Sequence, residues 1–295
     1  MIARFLNLAT LVPALALVAC SHSGGTKGAD EKAAEARQFR PQATGLEQIK
    51  IEGPVELRLK ADPARVEKVN YFHRSSSRSF EDNQVRTQKD ETLEFTSQAE
   101  TVKVEADKGR FTQVITTSNK QGNGDLNDFA MPEVGEKLEV TASQRGKILK
   151  SGDYPENSIF FVSPISLPET PVTIGDTWTM QANWLSLGEM VPYKLDMVSI
   201  LKGFWKCGKN RWAEIEISGE VGLQGPIAQA MSFKSVWRGR VYFDIDAGTV
   251  AWSRVDSDES FISGNVRREV DSCLEAVLFE PEDQKLPGIT KPTCN

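Results

Sequence analysis

The sequence predicts a mainly β body of antiparallel, curved sheets with few short helices. Three observations carry this. From residue 53 onward apolar residues recur at every second position, as in Val55-Leu57-Leu59 against Glu56-Arg58-Lys60, the period of a half-buried strand. The alternating runs are separated by Gly, Asn and Asp clusters of the kind that close hairpins. Stretches with a helical period are scarce, residues 225–235 and 273–279 being the best short candidates.

Taken in order, residues 21–44 are small, polar and charged. They cannot bury enough apolar area to fold alone and read as a flexible tether. About 24 such residues give an r.m.s. reach of roughly 25–30 Å. The first half of the body reads as strands at Val55-Leu57-Leu59, Val66-Val69-Tyr71, Leu93-Phe95, Val102-Val104, Phe111-Val114-Ile115, Leu138-Val140 and Ile148. Residues 74–78 read as a polar loop or hairpin tip, and Gln144-Arg145-Gly146-Lys147 as a turn. The Pro-rich segment 164–171 leads into the second half. There Tyr193-Leu195-Met197-Ile200, residues 212–217, 236–245 and 249–255, and Phe261-Ile262 with Val266-Val270 read as strands. Cys207-Gly208-Lys209-Asn210 and Asp246-Ala247-Gly248 read as turns.

The strand, Gly turn and returning strand at residues 138–151 are echoed at 241–253. The body therefore divides into two similar half-barrel or sandwich-like units, although any antiparallel hairpin has this pattern and duplication stays open. The organisation expected is residues 1–19 as a signal, 20–44 as anchor and tether, 45–163 and 164–280 as β-rich halves, and 281–295 as a Pro-rich tail.

Residues 1–19 have a positive start at Arg4, an apolar run broken only by Asn7, Thr10 and Pro13, and a small-residue end. This is the layout of a secretory signal, too short and wrongly flanked for a spanning helix. Leu17-Val18-Ala19-Cys20 resembles the lipobox of bacterial lipoproteins. The resemblance implies cleavage before Cys20, a diacylglyceryl group on its sulfur and an acyl chain on the new amino terminus. Several chains on one residue suffice for stable anchoring, where one myristoyl chain is marginal. Ser21 stands where proteobacterial lipoproteins retained in the inner membrane commonly carry Asp, so the chain resembles the outer-membrane-sorted class. The expected partner is thus the membrane, through Cys20.

Loss of Arg4 takes the formal charge from −6 to −7. That excludes a general nucleic-acid binder, which shows a basic stripe, and a polybasic membrane patch. The acidity lies in the second half, where residues 151–295 carry 13 Lys/Arg against 20 Asp/Glu.

Leu167-Pro168-Glu169-Thr170-Pro171-Val172-Thr173-Ile174-Gly175-Asp176-Thr177-Trp178 resembles a Pro-Val-x-x-Gly-Asp-x-Trp junction of uncharacterised bacterial secreted proteins and lipoproteins. The resemblance implies a mainly β periplasmic body and brings no activity or site residues. Physically, Pro168 and Pro171 hold the segment extended, Gly175-Asp176 suits a tight turn, and Trp178 supplies core area.

Three cysteines follow the anchor: Cys207, Cys273 and Cys294. An oxidising compartment favours one disulfide and one leftover thiol. Cys273–Cys294 is the preferred pair, closing a loop of about 20 residues worth about 3 kcal/mol in the chain-entropy model; pairings through Cys207 stay open. The spacings of catalytic zinc, P-loop, dinucleotide-binding and serine-hydrolase sites do not occur. His73 reads as a surface or strand-end residue. Asp244-Ile-Asp246-Ala-Gly248 and Asn123-Gly124-Asp125-Leu126-Asn127-Asp128 only approximate calcium loops, lacking the twelve-residue spacing that ends in Glu. No metal, cofactor or catalytic residue is assigned.

All six tryptophans fall between residues 178 and 252. Among them, the apolar stretch around Trp184, Leu185, Leu187 and Met190 sits where a turn is expected. It is a candidate apolar binding lip, the alternative being a buried strand connection. The expected function is a non-enzymatic binding or envelope-scaffold module that takes a protein or an apolar ligand. The alternatives are a carboxylate-based envelope hydrolase and a structural accessory subunit of an envelope complex.

Overall fold

The computed structural model describes residues 46–187 and 190–279, with Ala230 and Phe279 described by backbone alone. Its strands are β1 (Leu46–Ile49), β2 (Val66–Glu81), β3 (Gln84–Glu105), β4 (Arg110–Gly122), β5 (Lys137–Ser143), β6 (Ile148–Ser151), β7 (Thr177–Leu185), β8 (Pro192–Cys207), β9 (Asn210–Leu223), β10 (Ser232–Asp244), β11 (Thr249–Ser263) and β12 (Val266–Phe279). A single helical turn, α1 (Ile227–Ala230), precedes β10. The expected mainly β, antiparallel architecture is what forms. No described helix is long and apolar enough to cross a membrane.

All twelve strands belong to one sheet in the order β1-β8-β9-β10-β11-β12-β2-β3-β4-β5-β6, with β7 also on β8. The two sequence halves are halves of this one sheet, because β12 pairs with β2 from Val266↔Glu81 to Phe279↔Lys68. The sheet is curved and does not close. Its edges are β6 on one side and, on the other, β7 and β1, which share β8 end to end. β7 covers β8 from Pro192 to Ile200 and β1 from Phe204 to Cys207, on either side of a bulge between Leu201 and Gly203.

The segment between β6 and β7 runs near both edges. Its 3-10 turn Ile159–Phe161 buries Ile159 and Phe160 against Leu138 of β5 and Trp184 of β7. Leu185 N donates to Asn157 O at 2.7 Å. Residues 50–65 cross one end of the inner face, with Leu57 fully buried. Their alternation reads as a strand in sequence, yet they form only isolated contacts. Val55 bridges Val172, Leu59 N donates to Gln144 O, and Lys60 N to Gly248 O. Their partners are turns and a lone bridge, so extended backbone forms here without a ladder.

Two further expectations are overturned. Residues 74–78 are the middle of β2, and the turn falls at Asp82-Asn83, both with positive φ, the conformation of a two-residue type I′ hairpin. Backbone pairing with β12 on one side and β3 on the other holds these serines in the strand. Residues 273–279 are strand rather than helix, and helix in 225–235 is limited to α1. The Cys273-Leu274-Glu275-Ala276 run is buried or half-buried on both faces, and strands buried on both faces lose their alternation.

Both faces of the sheet carry core. The inner face holds a large cluster that includes Leu195, Met197, Val221, Trp237 and Val255, and a second one around Leu57, Leu201, Phe204, Ile215 and Phe243. A third, aromatic cluster of Trp205, Trp212, Tyr242 and Trp252 lies on the outer face. Opposite Tyr242 and Phe243, β11 carries a bulge that leaves Ala251 without a register partner, so the neighbours Ala251 and Trp252 both join this cluster. Gly239 of β10 is packed closely by β11: a Cβ there would stand 2.5 Å from Val255 Cγ2 and 2.6 Å from Arg254 O. We predict that Gly239→Ala costs about 1–3 kcal/mol through overpacking, measured by denaturant unfolding; an unchanged midpoint would contradict this packing.

Candidate functional site

Four connections lie at the same end of the sheet: β7–β8, β9–β10, β11–β12 and β2–β3. Around them Leu187, Met190, Ile262 and Val266 are 37%, 62%, 42% and 42% exposed, so this end is a rim with exposed apolar residues on both faces, Val266 on the inner side and Ile262 on the outer one by register. The β7–β8 loop holds its shape through backbone bonds. Ser186 N donates to Val191 O, and Met190 N to Ser186 O, while Ser186 Oγ accepts from Val191 N at 3.0 Å.

Below the rim, strand register sets a graded inner surface. One row runs Ala182, Leu195, Val221, Ser235, Glu259, Val270 and Ser77 across β7, β8, β9, β10, β11, β12 and β2. The next runs Met180, Met197, Gly219, Trp237, Ser257, Ser272 and Ser75 over the same strands. Nearer the rim, Phe233 faces Phe261, Phe261 faces Arg268, and Arg268 faces Ser79. Along these rows the inner face is mostly apolar and aromatic from β7 to β10, and hydroxyls and charges join Phe261 and Val270 from β11 to β2. Ser75, Ser77 and Ser79, which imitate a loop in sequence, belong to this polar lining.

Glu259 is its electrostatic centre. Burial pushes its carboxyl up to about 7, against the pull of the Ser235 hydroxyl and the Arg268 charge; Ser235 Oγ donates to it at 3.2 Å. Burial also lowers the Arg268 guanidinium, with Glu259 and Glu91 opposing. Further along β2, His73 is a buried mid-strand residue rather than the surface or strand-end one expected. Phe129 meets it edge-on at 5.2 Å. Burial drops its imidazole to about 4, so it is neutral at neutral pH, and its Nε2 has no hydrogen-bond partner among the described residues.

The sequence-derived candidates separate under this geometry. Cys20 and Cys294 lie outside the described residues. Cys273 is fully buried and disulfide-bonded, its partner outside the described residues because Cys207 is free. Burial and the nearby Asp244 charge push the Cys207 thiol up to about 11, which leaves it a poor nucleophile. Of the four lip residues, Trp184 is a core residue, 6% exposed and stacked on Tyr193 at 5.5 Å. Its place on the inward side of β7 overrides the turn beside it. Leu185 is half-buried, and Leu187 and Met190 alone are exposed. Trp178 packs against the inner core and donates to Ser166 O at 2.7 Å.

The two acidic turns are engaged internally. Asp244 accepts from Ala247 N, Asn210 Nδ2 and Trp212 Nε1, and Asp246 is paired with Arg211. Asp125 caps the turn that follows it by accepting from Asn127 N. No group of three His, Cys, Asp or Glu that could hold a metal forms among the described residues. The raised carboxyls are dispersed. Asp128, about 7, lies between β4 and β5; Asp256, about 6, faces outward on β11; Glu259 faces inward. They do not make the facing pair that glycoside hydrolysis uses. Glu259 and Arg268 escape sequence reading because both sit in polar strand ends, and only the register turns them inward.

No family model and no curated protein matches the chain. Among solved structures it is similar to an engineered protein studied for asymmetric conductivity, at 10% identity, covering 73% of this chain and all of that one with a TM-score of 0.26. It is also similar to an outer membrane channel from Pseudomonas putida F1, at 9% identity, covering 79% of this chain and all of that one with a TM-score of 0.23. Likenesses this slight carry no argument.

Two predictions follow from the rim and its lining. A carboxyl raised in the fold costs stability as pH climbs from its unfolded value near 4.5 to about 7. Glu259→Gln should therefore gain on the parent over that window, by about 1–2 kcal/mol after discounting partial exposure. Denaturant midpoints at pH 5 and pH 8 measure this; a pH-independent difference would contradict it. Trp184→Ser should cost about 3–5 kcal/mol, whereas Leu187→Ser with Met190→Ser should stay within about 1 kcal/mol. Thermal unfolding separates them, and equal losses would place Leu187 and Met190 in the core.

Proposed function

We propose that the protein is a lipid-anchored envelope module of the bacterial outer membrane that binds an apolar or amphiphilic ligand and performs no chemistry on it. The observation that carries the reading is the rim. Exposed Leu187, Met190 and Val266 stand at the end of an inner face that passes from Trp and Phe to Glu259, Arg268 and serines. Ligand sites are mainly apolar surfaces with a few convergent polar groups, and an amphiphile matches that order. The lipobox resemblance at Cys20 supports the anchoring, and the dispersal of the raised carboxylates over separate parts of the sheet supports binding over hydrolysis. Both body termini, Leu46 and Phe279, lie at the end of the sheet opposite the rim. A tether arriving there leaves the rim unobstructed.

The test uses the processed protein purified from envelopes in mild detergent. Organic extracts analysed by mass spectrometry should contain a recurrent apolar species. The paired Leu187→Ser, Met190→Ser variant should lose it at least tenfold while remaining folded. Equal content in parent and variant contradicts the reading. Separately, Cys20→Ser should give a folded body in the soluble envelope fraction; undiminished membrane fractionation would overturn the anchoring.

A further inference from the structure

Glu259 and Arg268 are opposite charges on one face that do not meet. Glu259 pairs with Val270, and Arg268 stands two residues before Val270 on β12. That is a diagonal separation of about 7–8 Å, within reach of long side chains. Both residues are half-buried, and each feels the other's charge. Yet no hydrogen bond or ion pair joins them. The carboxyl is held from the other side of β11. Trp237 Nε1 donates to Ser235 Oγ at 2.8 Å, and Ser235 Oγ donates to Glu259 at 3.2 Å. Both donors belong to β10, so the chain of bonds draws Glu259 away from β12. Arg268 is left without a hydrogen bond or ion pair among the described residues.

The other charges on this face are matched. Lys89 and Glu91 of β3 stand opposite Ser77 and Ser75 and pair with each other at 2.6 Å. The side chains that β10 and β2 contribute beside Glu259 and Arg268 are the uncharged Ser235, Ser77 and Ser79. An apolar track leads up to the two charges. Arg268 faces Phe261, Phe261 faces Phe233, and Phe233 meets Tyr193 edge-on at 5.6 Å. Beside Tyr193, Leu223 of β9 is half-buried. From β12 to β8 the track covers four strand spacings, about 19 Å, enough to lay out a long acyl chain.

We infer that the ligand is a single-chain amphiphile with a zwitterionic headgroup, whose anionic phosphodiester meets Arg268 and whose primary ammonium meets Glu259. This rests on the ligand reading above and names the headgroup it takes. A half-buried guanidinium and a half-buried carboxyl held apart each lose solvation without gaining a partner. A headgroup carrying both signs supplies both partners through charge-assisted hydrogen bonds. A purely anionic headgroup leaves Glu259 unmatched, and a quaternary ammonium has the charge but no N–H to donate. With the headgroup at β11 and β12, the acyl chain follows the track toward β8.

Calorimetric titration of the full chain, freed of carried-over lipid, compares three lysophospholipids of one acyl chain, each below its micelle concentration. At pH 8 the phosphoethanolamine form should bind about tenfold tighter than the phosphocholine and phosphoglycerol forms. Equal affinities, or a preference for either of the others, overturn the headgroup match and leave the ligand reading standing; binding of none overturns both. Glu259 must be ionised to receive the ammonium, and its carboxyl titrates at about 7. Affinity for the phosphoethanolamine form should therefore fall severalfold from pH 8 to pH 6. Glu259→Gln should abolish that dependence together with the preference over phosphocholine. Arg268→Gln should weaken all three forms alike, since each carries the phosphodiester. A preference that survives Glu259→Gln, or pH-independent binding by the parent, overturns the inference. Should either variant fail to fold, the headgroup and pH series on the parent decide.

Discussion

The structure depends on the ladder between β12 and β2. It joins the strands of the second sequence half to those of the first, from Val266↔Glu81 to Phe279↔Lys68. Without it the chain would present two smaller sheets with two more open edges, each a template for association. Its register decides more than continuity. The pairing of Val270 with Ser77 and Arg268 with Ser79 keeps Arg268 inward beside Glu259. It also keeps Cys273 on the outer face. A slip by one residue would send every side chain of β12 to the opposite face, bringing Glu269 and Asp271 inward beside Glu259 and carrying Arg268 away from it.

Much of this architecture is legible in the residues. Period-two runs such as Tyr193-Leu195-Met197 and the Gly-bearing turns at Cys207-Gly208-Lys209-Asn210 and Asp246-Ala247-Gly248 fall where strands and hairpins form. What escapes sequence reading shares one physical cause: the sheet buries parts of both faces, and part of its inner face is polar. Ser75 and Ser77 look like a loop because inward hydroxyls break the expected apolar alternation. Residues 273–279 look like a helix because burial on both sides removes alternation altogether. The site is less legible than the fold. Leu187 and Met190 stand out as apolar residues at a turn, and Trp184 beside them is drawn into the core by the pleat. Glu259 and Arg268 gain meaning only from the strands on either side.

The two faces use buried charge differently. On the outer face Glu214, Asp244 and Glu275 each accept an indole N–H, so charge and aromatic area satisfy each other in a dry layer. On the inner face Glu259 is half-buried, bonded to the Ser235 hydroxyl and raised to about 7, near a rim whose apolar residues meet solvent. The first arrangement suits a permanent contact. The second suits a surface that exchanges water for a ligand, because the cost of a raised carboxyl falls when a partner donates to it.

Hydrogen exchange, with and without a single-chain lysophospholipid held below its micelle concentration, tests this account most directly. The account predicts slower exchange in residues 186–193 and 259–268, with the outer aromatic strands around Trp212 and Trp252 unchanged. Protection confined to the outer face, or none at any strand, would contradict it.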